Sequence, residues 1–209
     1  MTDENIHQRE VGKDPVDEFM LKEYESIASA HFDSQAGLRQ QFRFYLIIAA
    51  VPVTILGLAL KERSEKDLEM LTFFTLPTFM TLVFFAIGIL GFLLLLSMIH
   101  TALDATMYAR TVNGVRLYFV NRAQGLERGI EQYLVMPFDK KRPGYVHYRA
   151  FFWQVVLISG VNTLYMSLFI HRFISNECGF VSACLLIFAG HIGMYFGFAY
   201  KREQKEISG

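Results

Sequence analysis

LTFFTLPTFMTLVFFAIGILGFLLLLSMI, residues 71–99, decides the fold. It contains no Asp, Glu, Lys or Arg, and only Thr, Ser, Pro and Gly interrupt its apolar run. A helix needs about 20 such residues to cross the hydrocarbon core of a bilayer. At helical rise this stretch would reach about 43 Å, against a core of about 30 Å. It therefore tilts, or its last turns leave the membrane as a continuing helix. Pro77, near its other end, is tolerated in a membrane helix and can kink it.

Working outward, three more apolar runs lack charged residues: Phe44 to Leu60, Ala150 to Ile170 and Gly179 to Tyr200. Charged residues make up 19% of the 209-residue chain and avoid the four runs, while 14 of its 20 Phe lie in them. A formal net charge of zero matters less than where the charges sit. The basic residues are lopsided. Arg9, Lys13, Lys22, Arg39 and Arg43 precede the first run, and Lys201, Arg202 and Lys205 follow the last. Arg110, Arg116, Arg122, Arg128, Lys140, Lys141, Arg142 and Arg149 lie between the second and third. The other two loops hold only Lys61, Arg63, Lys66 and Arg172. By the positive-inside rule, both termini and the long loop are cytoplasmic.

The expected fold class is therefore all-α: a polytopic membrane protein with four transmembrane helices and both termini inside. Residues 1–43 form a cytoplasmic amphipathic helix, 44–60 the first span, 61–70 an outer loop and 71–99 the second span. Residues 100–149 are a cytoplasmic helix and basic loop, and 150–170 the third span. Residues 171–178 form an outer loop, 179–200 the fourth span and 201–209 a cytoplasmic tail. The polar start at 1–41 shows no signal peptide, and the expected location is the inner membrane. Cys178 and Cys184 are too few for a disulfide framework and read as free thiols.

The polar segments carry their own pattern. Asp14-Pro15 reads as an N-cap followed by proline at the first helical position, with Asp17 and Glu18 suiting the helix dipole. Met20, Tyr24, Ile27, His31, Leu38 and Phe42 then share one face, leading towards the first span, with Gly37 as a possible break. After the second span Tyr108, Val112, Val115, Phe119, Ala123, Leu126, Ile130 and Tyr133 fall within about a quarter of a helical wheel. Gly114, Gly125 and Gly129 weaken that helix. Two amphipathic helices need an apolar partner. They pack on each other, or Tyr24, Ile27, Tyr108, Val112, Val115, Phe119, Leu126 and Ile130 meet a second subunit or another protein. In the return loop MPFDKKRPGYVHYR (136–149), Lys140, Lys141 and Arg142 stand beside Tyr145 and Tyr148. They suit contact with anionic lipid, or alternatively a phosphate-bearing ligand.

Candidate chemistry is sparse. His191 lies inside the fourth run; it either hydrogen-bonds a neighbouring helix or handles protons. Asn162 and Gln154 are polar residues of the same kind in the third run. Ala189, Gly193 and Gly197 recur at steps of four and allow another helix to approach closely. His100 and Asp104, one turn apart, read as a hydrogen-bonded pair, since no third or fourth zinc ligand stands at helical spacing. Thr72, Thr75, Thr78 and Thr81 either line a path or bond back to their own backbone. No metalloprotease, nucleophile-elbow, phosphate-loop or Cys-x-x-Cys motif occurs. The expectation is a protein that is not an enzyme and needs no cofactor or metal.

The layout itself resembles a known group. A Glu23-Tyr24-Glu25 helix leads into Phe42-Arg43-Phe44-Tyr45 at the first span, and Asn113-Gly114-Val115-Arg116-Leu117-Tyr118-Phe119 lies in the helix after the second. This is similar to small four-helix bacterial membrane subunits and effectors of anti-phage defence, such as the membrane subunit of the Kiwa system. The resemblance implies an inner-membrane homo-oligomer that acts by complex formation or by perturbing the membrane. The chain has no appended nucleotide-binding domain, so its expected partners are the bilayer, copies of itself and a cytoplasmic protein, without direct nucleic-acid contact. The alternative is a self-contained homo-oligomeric ion channel or pore.

Overall fold

The computed structural model describes residues 14–61, 78–123, 143–145, 149–174 and 176–208. These form four helices and, among the described residues, no strand: α1 Pro15–Lys61, α2 Thr78–Ala123, α3 Arg149–Ile170 and α4 Glu177–Ser208. Three of them, α2, α3 and α4, are long and apolar enough to cross a membrane.

The expected caps are present. Asp14 Oδ1 accepts from the Val16 amide at 3.0 Å, and the Asp14 carbonyl accepts from the Glu18 amide, so Pro15 opens α1 without wasting a donor. Asn176 does the same for α4, accepting from Cys178 N–H at 3.1 Å. Gly37, however, does not break α1, which runs as one helix of 47 residues through to Lys61. A single glycine costs a helix interior only about 1 kcal/mol, and packing along the helix outweighs it. Pro52 is buried within the same helix.

From Thr78 the overlong second run is part of a helix that continues beyond it. α2 begins at Thr78 and continues without interruption to Ala123, passing Gly114. Residues 71–77, including Pro77, lie outside the described residues. α4 likewise extends past the apolar run to Ser208.

Side-chain contacts fix the directions. Along α1 and α2, Tyr45 meets Gly91, Gln41 meets Ser97, His31 meets Ala105, Asp17 meets Tyr118 and Asp14 meets Arg122. Residue numbers fall in one helix as they rise in the other, so the pair is antiparallel and keeps one register throughout. Phe92–His191, His100–Phe198, Asp104–Arg202 and Arg110–Glu206 show that α4 runs parallel to α2. The Gly91–Asn162, Phe85–Phe169 and Thr78–Arg172 contacts make α3 antiparallel to α2. Consecutive helices point in opposite directions, and α1, α2 and α4 share one polar end, called here the stalk end.

The core lies where α1, α2 and α3 meet: Tyr45, Phe84, Leu95, Ile99, Val155 and Ile158 are buried in it. α4 is the loosest element. Only 11% of its most apolar stretch is covered, against 33% and 39% for α2 and α3. Phe44, Ile47, Val53, Phe79, Trp153 and Leu186 project outward. Phe79, Trp153 and Leu186 stand on the three membrane-length helices, where lipid covers exposed apolar side chains, and Phe44, Ile47 and Val53 stand on α1.

Candidate functional site

Two polar clusters stand out, one beyond the apolar stretches and one inside them.

The first centres on Arg110, on the α2 extension and 8% exposed. Its guanidinium donates from Nη1 to Glu206 Oε2 at 2.6 Å, from Nη2 to both Glu203 oxygens at 2.9 Å, and from Nε to the Pro143 carbonyl at 2.8 Å. The planar fork suits this, because one arginine can serve several acceptors at once. The Tyr145 ring lies 4.2 Å from the guanidinium carbon, its amide donates to Glu203 and its hydroxyl to Glu206. Tyr195 in turn donates to the Tyr145 carbonyl at 3.4 Å. Burial lowers the Arg110 pKa, but the bonds to Glu203 and Glu206 outweigh it and raise the pKa overall. Burial, followed by the bond to Glu206 and its charge, pushes the Tyr145 phenol up to about 12. The cluster thus clamps three separate segments together: α2, the 143–145 segment and the end of α4.

Two further ion pairs extend the clamp. Arg202 on α4 donates to Asp104 on α2 at 3.2 Å and to Met107 Sδ at 3.2 Å. Arg122 near the end of α2 pairs with Asp14 at 2.6 Å and Asp17 at 3.2 Å, sealing the tip of the α1–α2 stalk. The Val16 amide, then Arg122, hold the Asp14 carboxyl below its ordinary value.

The second cluster is uncharged. Tyr45 donates to Asn162 Oδ1 at 3.1 Å and reaches the Ile158 carbonyl at 3.3 Å, and Tyr165 donates to the Ala49 carbonyl. Gly91 allows it. A Cβ there would overlap Asn162 Oδ1 and lie 3.0 Å from the Tyr45 ring. His191 is 4% exposed; its Nδ1 lies 2.6 Å from the Ile187 carbonyl and its ring packs edge-on to Phe92.

The residues read from the sequence are distributed as follows. Val115 is buried, and Tyr24, Ile27, Tyr108, Val112 and Phe119 are half-buried, in the two helices that pair along the stalk. Of the two alternatives for the amphipathic helices, the intramolecular pairing is the one the structure contains. Leu126, Ile130, Lys140, Lys141 and Arg142 lie outside the described residues. Asn162 and His191 are buried in the bundle. Gly193 and Gly197 face outward, with nothing within 4 Å of an added Cβ, so within one chain they serve no close approach. His100 and Asp104 do not form the expected pair: Asp104 accepts from Arg202, and His100 packs on the Phe198 ring at 5.1 Å. The α4 extension supplies a charged donor to which the carboxylate bonds more strongly than to a neutral imidazole. Thr81 donates to the Thr78 carbonyl at 2.8 Å, the back-bonding alternative at that position, whereas Thr78 Oγ1 accepts from Arg172, and Thr72 and Thr75 lie outside the described residues. Cys178 and Cys184 are free. Among the described residues, no three His, Cys, Asp or Glu side chains gather to hold a metal.

Arg110, Glu203, Glu206 and Gly91 were not singled out in the sequence as site residues; Tyr145 was read only as part of an interface anchor, and Tyr45 only within the motif at the first span. The signal for the first three was available: α4 ends in the run Lys201-Arg-Glu-Gln-Lys-Glu206, and an acidic pair three apart on a helix needs a cation. No known protein family, curated protein or solved structure matches this chain.

Proposed function

We propose that the protein is a non-enzymatic, four-span inner-membrane protein with both termini in the cytoplasm, which assembles with copies of itself and engages a cytoplasmic protein through the α1–α2 stalk. The observation that carries this reading is the continuity of α2. One helix leads from the apolar stretch into the polar stalk, in unbroken register with α1 from Tyr45–Gly91 to Asp14–Arg122. Packed helices of this kind move as rigid bodies, so a change at the stalk reaches the membrane-length segments and the reverse. The exposed apolar side chains on the α1 half of the stalk support a partner there. Phe19 and Phe32 are 64% and 69% exposed, and Val16 and Leu21 are exposed as well. The fourth span is the α1 segment from Phe44, whose Phe44, Leu46, Ile47, Val51 and Val53 project outward as lipid-facing residues do. A role in anti-phage defence, by complex formation or membrane perturbation, extends this reading.

The test uses the full chain in its native bacterial membrane, with a photo-crosslinking residue at position 19 or 32. One cytoplasmic protein should be captured in a defined complex, and Phe19→Ser with Phe32→Ser should abolish both capture and protection against phage. Purified protein that conducts ions in liposomes with no partner present would instead favour the homo-oligomeric channel.

A further inference from the structure

Seven hydroxyls on these helices donate to a carbonyl three or four residues back, among them Thr54, Thr106, Thr111 and Ser167. That is the ordinary way for a membrane helix to satisfy Ser and Thr. Ser159 and Thr163 do not do so. Ser159 is completely buried, and its Oγ has no hydrogen-bond partner; Thr163 Oγ1 is equally shielded and equally alone. Two further unpartnered atoms lie at the same depth: Nδ2 of Asn162, which is fully buried, and Nε2 of His191, which is 4% exposed.

These groups converge. Asn162 presses on Gly91 of α2, and His191 packs on Phe92, the next residue. On α3, at 100° per residue, Ser159 lies 60° from Asn162 and 40° from Thr163. Thr163 lines a cleft of about 410 Å³ between α3 and α4, together with Gly160, Ser167, Phe180 and Cys184. Ser159 therefore stands between the side of α3 that meets α2 and the side that lines the cleft with α4, at the level where His191 of α4 packs on Phe92. The chemistry is complementary. If His191 Nδ1–H donates to the Ile187 carbonyl, Nε2 is a bare acceptor. Asn162 Nδ2 is a donor, and the Ser159 hydroxyl is either.

We infer that Ser159, Asn162 and His191 enclose an internal water-binding site at the middle of the bundle, with Thr163 linking it to the α3–α4 cleft. One water accepts from Asn162 Nδ2, donates to His191 Nε2 and exchanges a bond with Ser159. That makes about three hydrogen bonds, the usual number for a buried water. Without it, donors and acceptors that each cost a kcal/mol or more when left unmade would face only apolar packing. The site keeps the His191 ring in contact with exchangeable protons. It is independent of the partner-binding reading.

The experiment is water-to-protein polarisation transfer by solid-state NMR on the full-length ¹⁵N-labelled protein in phosphatidylethanolamine–phosphatidylglycerol vesicles. Transfer should reach the imidazole of His191 and the Asn162 side-chain amide. In Ser159→Ala the His191 transfer should fall by about half, because the water loses one of its roughly three partners. The melting temperature gives a second readout of opposite sign for the dry case. Deleting a dry, unpartnered hydroxyl removes a penalty and raises Tm, whereas deleting a water's partner lowers it or leaves it level. Dry resonances in the wild-type protein, undiminished transfer in Ser159→Ala, or a raised Tm for that variant would each overturn the site.

Discussion

The two halves of α2 use polar groups in opposite ways. From Gly91 to Ile99 its described partners include no Asp, Glu, Lys or Arg: Gly91 seats the Tyr45–Asn162 bond, Phe92 meets the His191 ring and Ser97 meets Gln41. Beyond Ile99 they are ionic: Asp104 with Arg202, Arg110 with Glu203 and Glu206, Arg122 with Asp14 and Asp17. The difference follows from solvation. A charge taken out of water costs several kcal/mol unless paired in good geometry, whereas a hydroxyl or amide needs only one or two hydrogen bonds. Helices α1, α2 and α4 cross the boundary without a break, so the chemistry changes while the backbone does not.

Breaking the ionic half at its centre should have the largest effect. Arg110→Ala leaves two carboxylates, the Pro143 carbonyl and the Tyr145 ring without their common partner. Removing one member of a buried pair costs about 3–5 kcal/mol. Because Glu203 and Glu206 keep 33% and 37% of their side-chain surface in solvent, a smaller loss of about 2–4 kcal/mol is expected. Arg110→Lys should recover little of it, since an ammonium cannot present the same fork. Thermal unfolding in nanodiscs gives the stability, and hydrogen exchange at residues 201–206 reports whether the end of α4 has come loose.

In the neutral half the equivalent break is Gly91→Ala. Its Cβ would overlap Asn162 Oδ1 and crowd Tyr45, forcing α2 away from α3, at about 1–3 kcal/mol. Gly193→Ala and Gly197→Ala, with open space around them, should leave the single chain unchanged or slightly more stable, because alanine favours helix. A loss of assembly in these two variants, seen by native mass spectrometry with the monomer's Tm intact, would show copies packing on the exposed face of α4.

What was legible in the sequence divides along the same line. Helix positions followed from one-dimensional properties: apolar run length, the Asp14-Pro15 cap, and the stripes from Met20 and from Tyr108. The overlong run at 71–99 left two alternatives, a tilted span or a helix continuing past it, and α2 does continue past it to Ala123. Its pairing with α1 was one of the alternatives the stripes left open, and the Arg110 clamp went unidentified because it joins residues far apart in the chain. Arg110 meets Glu203 and Glu206 across 93 and 96 positions. His100 and Asp104 misled for the same reason: spacing on one helix identified neighbours, but the α4 extension brought a stronger partner to Asp104. Gly193 and Gly197 looked like packing positions, while Gly91, which does pack, stood unmarked in an apolar run. Glycine spacing says that a close approach is possible and only the fold says which glycine is used.

Tyr45→Phe sharpens the neutral half with a smaller change. It removes the hydroxyl that serves Asn162 Oδ1 and the Ile158 carbonyl, and leaves the ring in place against Gly91. A loss of about 1 kcal/mol is expected from an amide oxygen left without its donor. The measurement is the unfolding midpoint in mixed micelles; Asn162→Leu with Tyr45→Phe should lose less than the two single changes added, because the bond can be lost only once.

The smallest effects come from pH, and they separate two parts of the ionic half. Tyr145 has its pKa raised to about 12 by burial and by Glu206, so the folded state favours the neutral phenol. Its contribution is complete below the unfolded value of about 10 and is lost as pH rises from there through about 12. Asp14 is shifted the other way, below 3.8, by the Val16 amide and Arg122. Its contribution is present above the unfolded value and disappears as pH falls through the folded one. Hydrogen exchange across a pH series, corrected for intrinsic rates, should therefore show the end of α4 opening first in alkali and the α1–α2 tip opening first in acid. If both ends loosen together at either extreme, the stalk is one cooperative unit. The Arg110 clamp and the Arg122 seal would then act as a single structure rather than two.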